Sequence, residues 1–228
     1  MAVSLENDGN LAAFAEQKLG TGESLGANSL CMLTLGTGVG CGLVLDGDIW
    51  NGAMGMAGEA GHIPVGTPSG VTCGCGGSDC LEQFASATAV VRLARECLLV
   101  DPSLTAFDVA QLASSGDLRA TSVYATVGRS LAVALTGLIN TLNLPLYVLG
   151  GGLSESWDLF SAELFRELRR RSIIYRLTNS EDAQLPAEHT RATKVRRAEL
   201  RSKAGLLGAC LIARAASKNS DGRPHVDV

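Results

Sequence analysis

Hydrophobic and polar positions follow two periods along this chain. Leu30 to Leu35 and Cys41 to Leu45 are apolar runs of strand length, joined by Gly36-Thr37-Gly38-Val39-Gly40. Asp46-Gly47 is a hairpin dipeptide and predicts one more short strand after it. Further on, a period of about 3.6 residues takes over. Val123, Val127, Leu131, Leu135, Leu138 and Leu142 fall on one stripe of a helix over Leu118 to Asn143. Leu144 to Leu149 then reads as a buried strand ending in Gly150-Gly151-Gly152, where the backbone must turn tightly or approach a ligand. Other helices are expected over Leu11 to Lys18, behind the capping-rich Asn7 to Asn10, and over Leu81 to Leu99, Ala106 to Ser114, Ser156 to Arg170 and Arg201 to Ala216. Gly20 to Asn28 and Asn51 to Gly61 read as loops, and Ser217 to Val228 as a disordered tail. Strands alternating with helices predict an α/β fold in one domain over residues 1–216, with no internal repeat.

Bulk composition narrows the function classes. A chain of 228 residues with 46% apolar and 18% charged residues is globular and buries a sizeable core. A net charge of −4 argues against a nucleic-acid surface. The basic clusters Arg166 to Arg176 and Arg191 to Arg201 read as solvated helix faces or an oligomer contact. The longest apolar stretch, Leu131 to Leu149, is interrupted by Thr136, Asn140, Thr141, Asn143 and Pro145, so no membrane span is expected. Met1-Ala2-Val3-Ser4 leads into polar sequence without a signal peptide, and the seven cysteines then imply a reducing, cytoplasmic setting.

Three of those cysteines stand in Cys73-Gly74-Cys75-Gly76-Gly77-Ser78-Asp79-Cys80. The glycines let the backbone fold tightly enough for the sulfurs to converge, and His62 lies eleven residues before the first of them. Three thiolates and an imidazole make a closed tetrahedral zinc site of structural type. Reduced buried thiols are the alternative, but three in a glycine-rich loop fit it poorly. Cys31, Cys41, Cys97 and Cys210 sit in apolar runs and read as core packing.

Gly58-Glu59-Ala60-Gly61-His62, followed by Cys73-Gly74-Cys75-Gly76 and Cys80-Leu81-Glu82, resembles the defining pattern of the ROK family (repressors, open reading frames and kinases). Asp79 departs from it, since the family usually has glycine there. Glu6-Asn7-Asp8-Gly9-Asn10 resembles the family's Asn-Asp-Ala-Asn catalytic segment, Leu35 to Gly40 its second phosphate loop, and Val148 to Gly152 its nucleotide-side glycine run. Several motifs in the right order are more specific than any one of them. The resemblance implies the large, sugar-holding domain of an actin-like (ribonuclease H-like) ATPase fold with a zinc knuckle. Its C-terminal helix, about 201–216, would pack on a smaller domain. That smaller domain carries an Asp-x-Gly-x-Thr phosphate loop in the family. No such loop occurs here, so about a hundred residues, an ordinary small-domain length, are expected to be missing.

The same resemblance implies ATP-dependent phosphorylation of a hexose, glucose first, in a homodimer. Asp8 would be the general base. Asn7, Asp8, Glu59, His62 and Glu82 would bind the sugar, and Thr37, Gly38, Gly40, Gly151 and Gly152 the nucleotide, with Mg2+ arriving on ATP. His62 would use one ring nitrogen for zinc and the other for a sugar hydroxyl. On the residues alone, Asp8 reads first as a cap of the first helix, and each glycine run could be a plain turn. The alternatives are a non-catalytic sugar-binding zinc module, as in a repressor-type sensor, or a kinase for N-acetylmannosamine, fructose or allose.

Overall fold

The computed structural model describes residue 3 and residues 5–66, 70–97, 103–179 and 192–219. Five strands form one mixed sheet: β1 (Leu30–Leu35), β2 (Val39–Leu45), β3 (Asp48–Ile49), β4 (Leu146–Gly150) and β5 (Lys194–Arg197). Their order is β3-β2-β1-β4-β5. The first three are antiparallel neighbours, whereas β4 runs parallel to both β1 and β5. The β2–β3 hairpin turns at Asp46 (φ 52°) and Gly47 (φ 92°), two left-handed residues as this turn type requires.

Alternation along β1 sends Leu30 and Met32 to one face and Cys31, Leu33 and Leu35 to the other, and all five are buried. A sheet apolar on both faces needs helices on both. One face carries α1 (Asp8–Leu19) and α9 (Ala204–Asn219), through Ala12, Ala13 and Ala204. These two helices cross so closely that a β-carbon at Gly208 would overlap the Leu11 carbonyl oxygen. The other face carries α4 (Ala87–Glu96), α5 (Ala106–Ser114), α6 (Leu118–Leu142) and α7 (Trp157–Arg171).

α6 is, among the described residues, the one helix long and apolar enough to cross a membrane. Here it is a core helix. Asp117 caps its start by accepting from the N–H groups of Arg119 and Ala120, and Asn143 ends it in the left-handed conformation at φ 48°. Val123, Val127, Leu131 and Leu135 are buried as the stripe predicts, but Ile139 replaces Leu138 and Leu142, which are half-buried. The helix is covered by α3 (Glu82–Ala85), α4, α5, α7 and α8 (Ile173–Thr178), so its buried face is broader than one stripe.

Other differences have local causes. The expected loop after Gly20 contains α2 (Thr21–Leu25), whose first N–H, at Thr21, donates to the buried Glu16 carboxylate and whose end is closed by Gly26 at φ 62°. The helix expected over Leu81 to Leu99 is broken at Ser86, where the backbone is extended and the side chain caps α4 by accepting from Ala89 N at 3.0 Å; Leu98 and Leu99 lie outside the described residues. The basic run after Arg191 holds β5 and not a solvated helix face; it pairs with β4 and buries Val195. α8 is a separate helix after the break at Ser172, whose side chain caps it by accepting from Tyr175 N. α9 continues past Ala216 to Asn219, and residues 220–228 of the expected disordered tail lie outside the described residues. Cys31 and Cys41 are buried with their sulfurs 3.7 Å apart, and that contact together with burial pushes the Cys31 thiol upward. Cys97 is half-buried, but Cys210 is exposed on α9 and is not core.

Candidate functional site

The first half of β2 is the spine of the site. A β-carbon at Gly9 would lie 2.9 Å from the Cys41 carbonyl oxygen, and one at Gly58 would lie 2.6 Å from the same atom. A β-carbon at Gly61 would overlap the Val39 carbonyl oxygen. These three glycines let the start of α1 and the 3-10 turn Ala60–His62 seat directly on the strand backbone. Asp8 and Glu59 each neighbour one of these contacts in sequence, so they are delivered to the same edge of the fold. Asn10 ties the start of α1 to Asn51, just after β3. It is buried at 3% exposure, and its Nδ2 donates to Glu6 Oε1 and to Asn51 Oδ1, both at 2.9 Å.

The cap of α1 is Asn7 and not Asp8. The Asn7 Oδ1 accepts from Gly9 N at 2.8 Å and Asn10 N at 3.4 Å. Asp8 is the first helical residue, exposed, and among the described residues its carboxylate has no hydrogen-bond partner. It is therefore free for other work.

Backbone pairing closes the thiol–imidazole cluster. Val65 N donates to Asp79 O at 2.9 Å and Leu81 N to Ile63 O at 2.8 Å, which folds the segment after His62 onto the segment around Cys80. Within the knuckle, Gly76 (φ 90°) and Asp79 (φ 57°) are left-handed. The departure from glycine at position 79 therefore falls where glycine would be unstrained, and aspartate is among the residues that tolerate it best. The ligand atoms of His62, Cys73, Cys75 and Cys80 all lie within 4.8 Å of one another. Cys73 Sγ is 3.6 Å from His62 Nδ1, and Cys75 Sγ is 3.7 Å from Cys80 Sγ. Tetrahedral bonds of about 2.3 Å to sulfur and about 2.0–2.1 Å to nitrogen require separations of about 3.6 Å and about 3.8 Å. The residues fit such an ion. His62 Nε2 points away from the thiols, 3.6 Å from Glu59 Oε2. The Cys73 thiol is held down at about 7, chiefly by the backbone N–H of Cys75, while burial and the neighbouring thiols Cys75 and Cys73 push Cys80 up to about 12.

The two glycine runs meet at the ends of β1 and β4. Gly151, at φ 83°, sits so close to β1 that a β-carbon would lie 2.5 Å from Leu35 O. Gly152 has open space around it. In the β1–β2 turn, Gly36 N donates to Gly38 O at 2.9 Å, and among the described residues the N–H groups of Thr37 and Gly38 donate to nothing. Gly40 is small for a different reason: a β-carbon there would lie 2.6 Å from Thr34 Oγ1. Glu82, two residues after Cys80, reaches this turn. Its Oε2 accepts from Val39 N at 3.0 Å and fills the space a side chain at Gly38 would need. The sequence reading missed Gln83, whose Nε2 lies 3.7 Å from Cys73 Sγ, and the Asn10–Asn51 clamp. Gln83 carried only its place after Cys80-Leu81-Glu82 as a signal.

Residues 1–216 match the ROK family. The chain is 41% identical over 170 residues to a glucokinase of Halalkalibacterium halodurans, covering 69% of this chain and 51% of that protein. It is 32% identical over 212 residues to an N-acetylmannosamine kinase of Yersinia pseudotuberculosis, covering 92% of this chain and 64% of that protein. Its fold resembles the crystal structure of a ROK family glucokinase from Streptomyces griseus in complex with glucose and AMPPNP, with a TM-score of 0.78 and 30% identity over 94% of this chain and 69% of that one. The chain thus spans about half to two thirds of the length of these relatives.

Proposed function

Because this chain belongs to the ROK family, we propose that it is the sugar-holding domain of a hexose kinase that transfers the γ-phosphoryl group of ATP to glucose. The α/β mixed sheet is that of the family's actin-like ATPase fold. The observation that carries the proposal is the shared seat on β2: Gly9, Gly58 and Gly61 bring Asp8, Glu59 and His62 to one strand, whose near end holds the Thr37–Gly40 turn.

In this reading, Asn7, Asp8, Glu59, His62 and Glu82 surround the hexose. Several fixed polar groups reject a wrong sugar because a missing hydroxyl leaves a buried partner unpaired. Asp8 takes the proton of the attacking hydroxyl, and that oxygen bonds to the γ-phosphorus as ADP leaves. Among the described residues the Asp8 carboxylate has no hydrogen-bond partner, which keeps it available for that transfer. The N–H groups of Thr37 and Gly38, which donate to nothing among the described residues, offer donors to phosphate oxygens, with Gly151 and Gly152 beside them, and Mg2+ arrives with the nucleotide.

His62, Cys73, Cys75 and Cys80 would hold zinc, which supplies shape and no chemistry. With Nδ1 on the thiol side, Nε2 is directed to the Glu59 side, where the sugar is proposed to bind. The working assembly is a homodimer.

The test is a coupled assay of the purified chain with magnesium, ATP and a panel of hexoses. Preferred turnover of glucose is expected. Preferred turnover of N-acetylmannosamine would reassign the substrate. Glucose binding without turnover of any hexose would support a sugar-binding module, and neither binding nor turnover would sink the proposal.

A further inference from the structure

The glycine turn between β1 and β2 does not hold its own shape. Gly36 and Gly38 lack side chains, and the turn's one internal hydrogen bond is Gly36 N to Gly38 O. Such a turn is conformationally broad unless something outside it restrains it. Among the described residues three further hydrogen bonds hold it, and all come from one stretch of chain. Glu82 on α3 accepts from Val39 N at 3.0 Å. Ala87 N, at the start of α4, donates to Gly36 O at 2.8 Å, and Thr88 Oγ1 donates to Thr37 O at 2.8 Å.

The same stretch is fastened to the thiol cluster at its other end. Leu81 follows Cys80 and donates to Ile63 O at 2.8 Å. Gln83 N donates to Cys80 O at 2.9 Å, and Gln83 Nε2 reaches Cys73 Sγ at 3.7 Å. Arg92 of α4 closes the unit by donating to Gln83 O at 2.6 Å. α3 has four residues and is anchored in the core by the buried Phe84 and Ala85.

We propose that α3 is a shared support through which the metal cluster sets the shape of the nucleotide-side turn, making Glu82 and Gln83 positioning residues for nucleotide. This deepens the kinase reading, since it rests on Thr37–Gly40 being the phosphate turn. Metal loss would then weaken nucleotide binding as well as sugar binding, by freeing Gln83 and, through it, the Glu82 grip on Val39.

The test uses the full chain loaded with zinc and free of ligand. Amide hydrogen exchange at Thr37 to Gly40 is followed by NMR in the parent, in Glu82→Gln, Glu82→Leu and Gln83→Leu, and after chelation. Glu82→Leu and chelation should each speed Val39 exchange by about tenfold or more, as loss of a hydrogen bond to a charged acceptor implies. Glu82→Gln keeps an acceptor oxygen and should stay within about threefold of the parent. Gln83→Leu should retain zinc by elemental analysis yet still speed Val39 exchange, while the amides of Tyr147 to Leu149 in β4 stay protected and report an intact fold. Calorimetry should then show weaker binding of magnesium ADP to Gln83→Leu, with glucose affinity reduced less.

Val39 exchange indifferent to chelation and to Gln83→Leu overturns the support. Exchange that responds as expected in a parent that binds no magnesium ADP overturns the nucleotide reading of the turn instead, and with it the nucleotide role of Glu82 and Gln83.

Discussion

At the residue scale, the division of labour between Asn7 and Asp8 matters most. Asn7 satisfies the open N–H groups at the start of α1, so Asp8 has no structural duty there. Asp8→Asn should therefore leave the thermal midpoint nearly unchanged. Turnover should fall by about 10² to 10⁴, the usual contribution of a positioned base, while glucose affinity falls less. Initial rates and a melting curve check this, and turnover near the parent level would mean that the base lies elsewhere. Asp79 shows the converse case, in which a residue's type follows from its backbone. Its φ of 57° is the kind of conformation glycine serves.

At the scale of elements, close backbone contacts decide where the functional segments sit. The 3-10 turn Ala60–His62 lies on β2 only because Gly61 has no side chain. In Gly61→Ala the added carbon meets the Val39 carbonyl, a backbone atom that cannot swing aside. Denaturant unfolding should show a loss of about 1–3 kcal/mol, typical of overpacking, and glucose affinity should fall with it. Gly137→Ala is the matched control. It lies in α6 with nothing within 4 Å of the added carbon, so it should stabilise by about 0.5–1 kcal/mol, the helix preference for alanine over glycine. Equal behaviour of the two variants would refute the close seat on β2.

At the scale of the molecule, α9 is apolar on more than the side that meets α1. Leu206 is 70% exposed, and Cys210 and Ala213 are exposed beside it. Trp50, Met54 and Met56 add further exposed apolar surface before the Ala60–His62 turn. Surfaces of this kind are uncommon on monomers, and light scattering at micromolar concentration should return the mass of a dimer or larger; a monomer mass would count against self-association. What the sequence determined by itself is what local spacing can encode: the presence of β1, β2 and β4 but, for β2 and β4, not their bounds, which are Val39–Leu45 and Leu146–Gly150, the long core helix α6, the glycine runs, and the three thiols that converge within one loop. Those features arise from side-chain period and backbone freedom over a few residues. The tertiary structure alone decided that the basic run at Lys194–Arg197 is a strand, that His62 closes on the thiols through the pairing of Ile63 and Val65 with Leu81 and Asp79, and that Glu82 serves the glycine turn. Each depends on hydrogen bonds between groups far apart in the chain, and each such bond has a backbone atom, which every residue carries, on at least one side, so they leave no periodic mark on the sequence.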